Sequence, residues 1–224
     1  MASIQIRRYR DADDEAVKEI FTMGISEHVP SSFMHILKQP PTQMVLMCVF
    51  CALMTSSKSF LLPILAVTLL LAGARQFVVY VFNRYIDASL EKDLNDIKGT
   101  YLEKKDSCFW VAEVEERVVG IVACLPNEKT PACLELKRMS VLRSHRGMGI
   151  AKTLCRTVAG FTRDRGYAAV VLYTSVVQTD AQKLYEHMGF EKIREFVVPE
   201  IAAKIINFTL IEYRLDLQKV VKSD

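Results

Sequence analysis

Three rhythms of apolar and polar residues run along this 224-residue chain. The first is short-range alternation. Ile4 and Ile6 alternate with polar neighbours and predict a strand, and so do Cys108 to Val114, Arg117 to Leu125 and Ala132 to Val141. Glu115-Glu116 makes a tight turn between the second and third of these. Ala168 to Thr174 is almost wholly apolar, as a central strand covered on both faces would be. Phe190 to Val198 and Ile205 to Leu215 predict two closing strands. The second rhythm is helical. Val17, Ile20, Phe21 and Gly24 follow the acids Asp11 to Glu15, so a helix begins near Asp13, and His28-Val29-Pro30-Ser31-Ser32 breaks or redirects it. Leu90, Leu94 and Ile97 mark an amphipathic helix over 87–101. Ile150, Leu154, Val158 and Phe161 mark another, closed by Gly166, and Thr179 to Met188 a third, ended by Gly189.

The third rhythm is no rhythm at all. Met44 to Met54 is unbroken apolar sequence, Phe60 to Ala74 is nearly so, and Phe77 to Phe82 resumes after Arg75-Gln76. At ~1.5 Å per residue the two main runs rise only ~16–23 Å, short of the ~20 residues that cross a hydrocarbon core. The second run either stops at Ala74 and is re-entrant, or continues to Phe82 and crosses with Arg75 snorkelling. Helices apolar all round belong in lipid or in the cores of larger proteins, so a membrane hairpin is expected over 44–82. It separates residues 1–43, holding the first strand and helix, from the main body at 83–217 and a tail at 218–224. Strand and helix on either side of the hairpin must close one domain, so the hairpin must enter and leave by the same membrane face.

Composition narrows the chemistry. Half the residues are hydrophobic, and 29 basic against 26 acidic residues leave a net charge of +3. That balance, with scattered Lys and Arg, gives no nucleic-acid footprint. The six Cys include a C-x-x-C pair at Cys48 and Cys51, but inside an apolar run and without a second ligand pair. The others sit in or beside strands and one helix, as buried free thiols do. The four His (28, 35, 145 and 187) show no metal-ligand spacing, so no metal is expected.

One segment carries chemistry. The strand ending at Val141 leads through Leu142 to His145 into Arg146-Gly147-Met148-Gly149-Ile150-Ala151, where a helix starts. First-turn N–H groups without intrahelical partners, the helix dipole, and glycines that let backbone approach closely make an anion site. No Gly-Lys-Ser/Thr follows, so it is not a P-loop, and the third glycine of a dinucleotide fingerprint is absent. Downstream, Ala181, Leu184, Tyr185, Gly189 and Phe190 fall in the order A-x-x-L-Y-x-x-x-G-F.

With those two motifs in register, the chain resembles the GNAT superfamily of acyl-CoA N-acyltransferases from Ile4 to Leu215, the apolar insertion excepted. The insertion and Ser107-Cys108-Phe109-Trp110-Val111-Ala112-Glu113 make it similar to the camello-like N-acetyltransferases, membrane-bound relatives that include a cysteine S-conjugate N-acetyltransferase of the endoplasmic reticulum. The resemblance implies an α+β fold: a mixed, mostly antiparallel sheet flanked by helices, carrying an inserted helical hairpin. It implies acetyl-CoA as co-substrate, with the pyrophosphate on Arg146, Gly147, Met148, Gly149, Ile150 and Ala151. Met139 and Val141 would lie on the strand that pairs with the pantetheine and holds the acetyl carbonyl. Tyr185 would be the general acid for the leaving thiolate. Gln178 stands where many members carry Asn on the coenzyme arm. For the base, Glu135 and Glu113 are candidates, and each is equally a solvated strand residue.

The expected activity is acetylation of a small amine, such as a cysteine S-conjugate, at the endoplasmic reticulum membrane. A protein-lysine acetyltransferase of the secretory pathway and a non-catalytic coenzyme A-binding membrane protein are the alternatives. Lys38, Arg75 and Arg84 flank the apolar runs and favour a cytosolic catalytic domain, as do free thiols. Asn207-Phe208-Thr209 has the N-glycosylation pattern but falls in an expected strand.

Overall fold

The computed structural model describes residues 3–57, 59–198 and 208–217. Lys58 between the apolar runs, Asn207 of the glycosylation pattern and the 218–224 tail therefore lie outside the described residues. Seven strands form one sheet: β1 (Ile4–Arg8), β2 (Cys108–Val114), β3 (Arg117–Pro126), β4 (Cys133–Val141), β5 (Ala169–Ser175), β6 (Glu191–Val197) and β7 (Thr209–Asp216). Their order is β1-β2-β3-β4-β5-β7-β6. Every pairing is antiparallel except β4 with β5, which the crossover helix α5 (Ile150–Asp164) makes parallel. The fold is thus the mixed, mostly antiparallel sheet with flanking helices that the sequence predicts. Glu115 and Glu116 both take positive φ (51° and 61°), the two-residue turn whose twist suits a hairpin.

Alternation along the strands builds two cores. On one face Trp110, Val122, Leu134, Leu136, Val170 and Leu172 pack against Leu154, Cys155 and Val158 of α5 and Tyr185 of α6 (Thr179–His187). On the other, Phe109, Val111, Ile121 and Ala123 meet Val17, Ile20 and Phe21 of α1 (Asp14–Ser26). β5 is buried on both faces at nearly every position, as its apolar run requires.

The segment His28 to Ser32 does redirect the chain, into α2 (Val29–Leu37) with Pro30 in its first turn, where a missing N–H costs nothing. Two long helices follow, α3 (Pro40–Ser57) and α4 (Leu61–Glu91), both long and apolar enough to cross a membrane. α3 buries no residue. α4 runs unbroken past Arg75 and Phe82, because nothing from Arg75 to Glu91 breaks a helix. Its 31 residues correspond to ~46 Å. Over its second half it buries Val78, Phe82, Ile86 and Ser89 at helical spacing. The separate helix expected over 87–101 is absorbed in part: α4 ends at Glu91, and a single π-helical turn covers Lys98–Leu102. Leu94, Ile97 and Tyr101 still enter the second core, since their apolar side chains have the same destination by either backbone path.

Candidate active site

The glycine turn has the geometry of an anion cradle. Gly147 and Gly149 adopt φ of 80° and 82°, the left-handed region where a side chain is strained. A Cβ built at either glycine meets nothing within 4 Å, so open space lies in front of the turn. Gly149 is the N-cap of α5 and no side chain caps the helix, which leaves its first N–H groups and dipole directed outward. Ile150 is buried and anchors the turn, Ala151 packs on the same core, and Met148 is exposed at its tip. This combination of bare backbone, open space and helix start fits a pyrophosphate. The Arg146 guanidinium reaches back, donating to the Val141 carbonyl at 3.1 Å and to Glu27 at the end of α1 at 2.5 Å.

Beside the turn the sheet opens. β4 pairs with β5 only from Cys133↔Ala169 to Leu136↔Leu172. β4 continues to Val141 and β5 to Ser175 without further pairing between them, so their facing edges carry backbone groups with no strand partner. Where the strands part, β4 bulges: Ala123 pairs with Lys137 and Ile121 with Ser140, so two residues of β4 oppose one of β3. Arg138 in the bulge has φ of 55°. Past the bulge, Met139 and Val141 turn to the α5 face.

Tyr185 lies on that face. It is 6% exposed, its ring packs against Phe190 and Tyr213, and its hydroxyl makes no hydrogen bond among the described residues. Burial, with the Cys155 thiol nearby, pushes its phenol well above the ordinary value and keeps it protonated. Gln178 is the N-cap residue of α6. Its amide oxygen accepts from Thr174 Oγ1 at 2.9 Å and from the Ser175 N–H at 3.0 Å, which fixes the β5–α6 turn and leaves only the amide nitrogen to offer a ligand.

The two carboxylate candidates separate. Glu135 sits on β4 between Leu134 and Leu136 and so points to the α1 face. Asn127 donates to it at 3.1 Å and Lys137 lies 3.8 Å away. Burial raises its carboxyl above the usual range, against the pull of Lys137 and Asn127. Glu113 is on β2, with β3 between it and β4, and is held by Arg7 at 2.7 Å beside Asp13. Glu113 is therefore not part of the constellation around the opening. His145 bonds Ser144 in the exposed turn. Among the described residues no group of three or more His, Cys, Asp or Glu is placed to hold a metal ion. The thiols of Cys124 and Cys155 are pushed up by burial, to about 12 for Cys155.

Three residues the sequence does not flag stand around the same opening. The side chain of Arg138 in the bulge is largely covered, Glu27 pairs with Arg146, and Ser32 of α2 is 4% exposed with its hydroxyl unpartnered among the described residues. Ser32 lines a small cavity with His35, Ile36, Ser175, Val176 and Phe208, at the end of β5 on the α1 face.

Residues 76–190 match the acetyltransferase (GNAT) family. N-acetyltransferase 8F1 of Rattus norvegicus is 45% identical over 195 residues, covering 86% of this chain and 88% of that protein. The probable N-acetyltransferase camello of Xenopus tropicalis is 34% identical over 97% of this chain and 100% of its own length. Among solved structures, an acetyltransferase of the GNAT family from Staphylococcus aureus Mu50 superposes with a TM-score of 0.60 at 17% identity, over 96% of this chain and 99% of that chain, a likeness of fold.

Proposed function

The chain belongs to the GNAT acetyltransferase family, among the N-acetyltransferase 8 and camello-like proteins, and we propose that it is a membrane-anchored enzyme acetylating the amine of a small amphiphilic molecule such as a cysteine S-conjugate. Acetyl-CoA is the family's acetyl donor. The observation that carries the proposal is the opening between β4 and β5, with Tyr185 on one face of the sheet and Glu135 on the other. A coenzyme whose pyrophosphate rests on the Arg146–Ala151 turn would lie along the α5 face and bring its thioester to the unpaired edge of Met139 and Val141. An amine arriving from the α1 face would meet that carbonyl through the gap.

The environments of Glu135 and Tyr185 support these roles. The amine must be neutral to attack, and Glu135, whose raised pKa makes it a stronger base than a free carboxylate, takes its proton directly or through one water. As the new C–N bond forms and the C–S bond breaks, the Tyr185 hydroxyl supplies the proton that the leaving sulfur needs. Unpaired N–H groups on the β4 edge would steady the carbonyl oxygen. No covalent enzyme intermediate is required, since donor and acceptor meet in one site.

The membrane reading rests on α3 and α4. β1 pairs with β2 across the inserted helices, with Ile4 opposite Val114. Chain before and after the insertion thus shares one sheet and one side of any membrane, so the pair enters and leaves by the same face. The second half of α4 packs on the domain, which brings the α1 face close to the bilayer, where amphiphilic thioethers partition. Flanking Lys38, Arg75 and Arg84 favour a cytosolic domain at the endoplasmic reticulum.

The test is acetyl-CoA turnover by the full chain in lipid or detergent with S-substituted cysteines, free amino acids and lysine peptides. The expected result is fastest turnover of cysteines bearing apolar S-substituents. Preference for lysine peptides, or no turnover of any small amine, would overturn the substrate assignment.

A further inference from the structure

The β4 bulge is held from outside the site, by the helix that leaves the apolar hairpin. Arg138 takes a backbone conformation that a side chain disfavours, yet its side chain is only 8% exposed. It donates to both carboxylate oxygens of Asp93, at 2.9 Å through Nε and 2.5 Å through Nη2. Nη1 donates to Ser89 Oγ at 3.1 Å and reaches the Tyr85 hydroxyl at 3.3 Å, and the guanidinium lies 4.7 Å over the Phe21 ring. Tyr85 and Ser89 belong to the last turns of α4 and Asp93 follows its end. Asp93 in turn accepts from the buried Tyr101 hydroxyl, which ties the clamp to the π-helical turn. A planar guanidinium fixed by this many directed partners has one orientation.

The other flank of the bulge is fixed as well. Ser140 Oγ donates to the Ile20 carbonyl of α1 at 3.2 Å. A Cβ at Gly24 would collide with Ser140 Oγ, so α1 lies close against the bulge and a larger residue there would push the Ser140 hydroxyl off the Ile20 carbonyl. Met139 lies between these two pins, on the strand edge that faces the opening.

We propose that Arg138 is a positioning residue for acetyl transfer: gripped by Asp93 at the end of α4, it sets the bulge so that the backbone at Met139 faces the thioester carbonyl. This rests on the placement of the thioester in the β4–β5 opening. It makes the helix leaving the apolar hairpin part of the scaffold of the reaction and not only a tether. Arg138 touches no reacting atom. Its effect is on aim, and a displacement of about 1 Å at a reacting centre lowers a rate by roughly 100-fold.

The experiment compares wild type with Arg138→Gly, Arg138→Lys, Asp93→Asn and the Arg138→Gly/Asp93→Asn pair, all as full chains in micelles with folding checked by circular dichroism. Glycine accepts the positive φ, so the bulge survives but is no longer held. Lysine keeps a charge without the two-pronged grip and serves if the glycine variant fails to fold. Calorimetry gives the Kd for CoA and for acetyl-CoA, and steady-state kinetics give kcat with the best amine.

Wild type is expected to bind acetyl-CoA more tightly than CoA. Arg138→Gly and Asp93→Asn should keep the CoA Kd within about threefold, lose that preference, and lower kcat roughly 10- to 100-fold. Arg138→Lys should fall between. The double variant should be no worse than either single one, because the two residues act as a unit. Retained preference and kcat in folded variants would overturn the proposal, and so would a parallel loss of CoA affinity, which marks a merely structural tie. A wild type with no preference would also overturn it. If no amine is acetylated, the substrate reading fails, while the preference for acetyl-CoA still decides the role of Arg138.

Discussion

Glu135 and Tyr185 stand on opposite faces of one sheet. Leu134 and Leu136, on either side of Glu135, share a core with Tyr185, so the alternation of β4 sends the carboxylate to the other side. Two groups separated by a sheet act on one bond only where the sheet is open, and β4 and β5 part immediately beyond Leu136 and Leu172.

Tyr185→Phe keeps the ring contacts with Phe190 and Tyr213 and removes only the hydroxyl. Turnover should fall roughly 100-fold, the lower range for loss of a general acid. The acetyl-CoA Kd should stay within a few-fold, measured by calorimetry beside the kinetics. Full turnover in the phenylalanine variant would remove the acid role.

As the proposed base, Glu135 would act in its carboxylate form, so kcat/KM should rise with pH through its pKa. Burial raises that pKa, which places the acidic limb of the profile above the ordinary carboxylate range. The Asn127 hydrogen bond favours the charged form, so Asn127→Ala should shift the limb to still higher pH. Glu135→Gln should abolish the limb and leave a slow rate that grows as the amine itself deprotonates. A limb unmoved by either change would point to another base.

Gly149→Ala introduces no clash, since nothing lies within 4 Å of the new Cβ, but at φ of 82° it is strained. A strain of about 1–2 kcal/mol that the bound state must restore weakens acetyl-CoA binding roughly 5- to 30-fold. Gly149→Trp fills the space and should abolish binding. Equal affinity in both variants, by equilibrium titration, would take the pyrophosphate away from this turn.

The Arg138–Asp93 pair also sets a stability profile. Burial alone would raise the Asp93 carboxyl, but the hydrogen bonds and charge of Arg138, with Tyr101, outweigh it and hold the carboxyl below its ordinary value. A depressed pKa in the folded state gives stability that is fully present above the unfolded value of ~3.9 and is lost as pH falls through the lowered value. Asp93→Asn should therefore flatten the acid limb of the melting profile. At neutral pH it should destabilise by about 3 kcal/mol, read from chemical denaturation.

Cys48 and Cys51 are exposed on α3, whereas Cys108, Cys124, Cys133 and Cys155 are buried in the domain. If α3 lies in lipid, a membrane-impermeant maleimide should label neither α3 thiol in intact membranes and both in detergent. The other four should stay unlabelled until denaturation. Labelling of Cys48 in intact membranes would sink the membrane reading.

Much of this was legible because strand and helix periods, glycine positions and two spaced motifs are local properties. The turn at Arg146–Ala151 and the helix of Tyr185 lie where their motifs put them. The end of α4 was hidden, since Arg75 and Arg84 mark a change of surroundings and not of backbone. Arg138 was hidden for a different reason: its partners Asp93, Ser89 and Tyr85 are 45 to 53 residues away. A local trace of the bulge does exist. Core-facing residues on β4 change from even numbers (134, 136) to odd (139, 141), which happens only where a strand carries one extra residue. Ser32 left no trace, because an unpartnered hydroxyl is visible only when its neighbours are in place.

The pairing of β1 with β2 also sets a timetable. The Arg7–Glu113 contact spans 106 residues of sequence, and everything between them, both long helices included, is synthesised first. The first strand has no edge to join until the chain has passed Val114, so β1 and α1 wait unpaired while the hairpin forms. Long-range closure of this kind is slow. Assembly of the sheet is then the late event in the birth of this protein, and a chain stalled inside the hairpin would expose the apolar face of α1 to whatever chaperone is at hand.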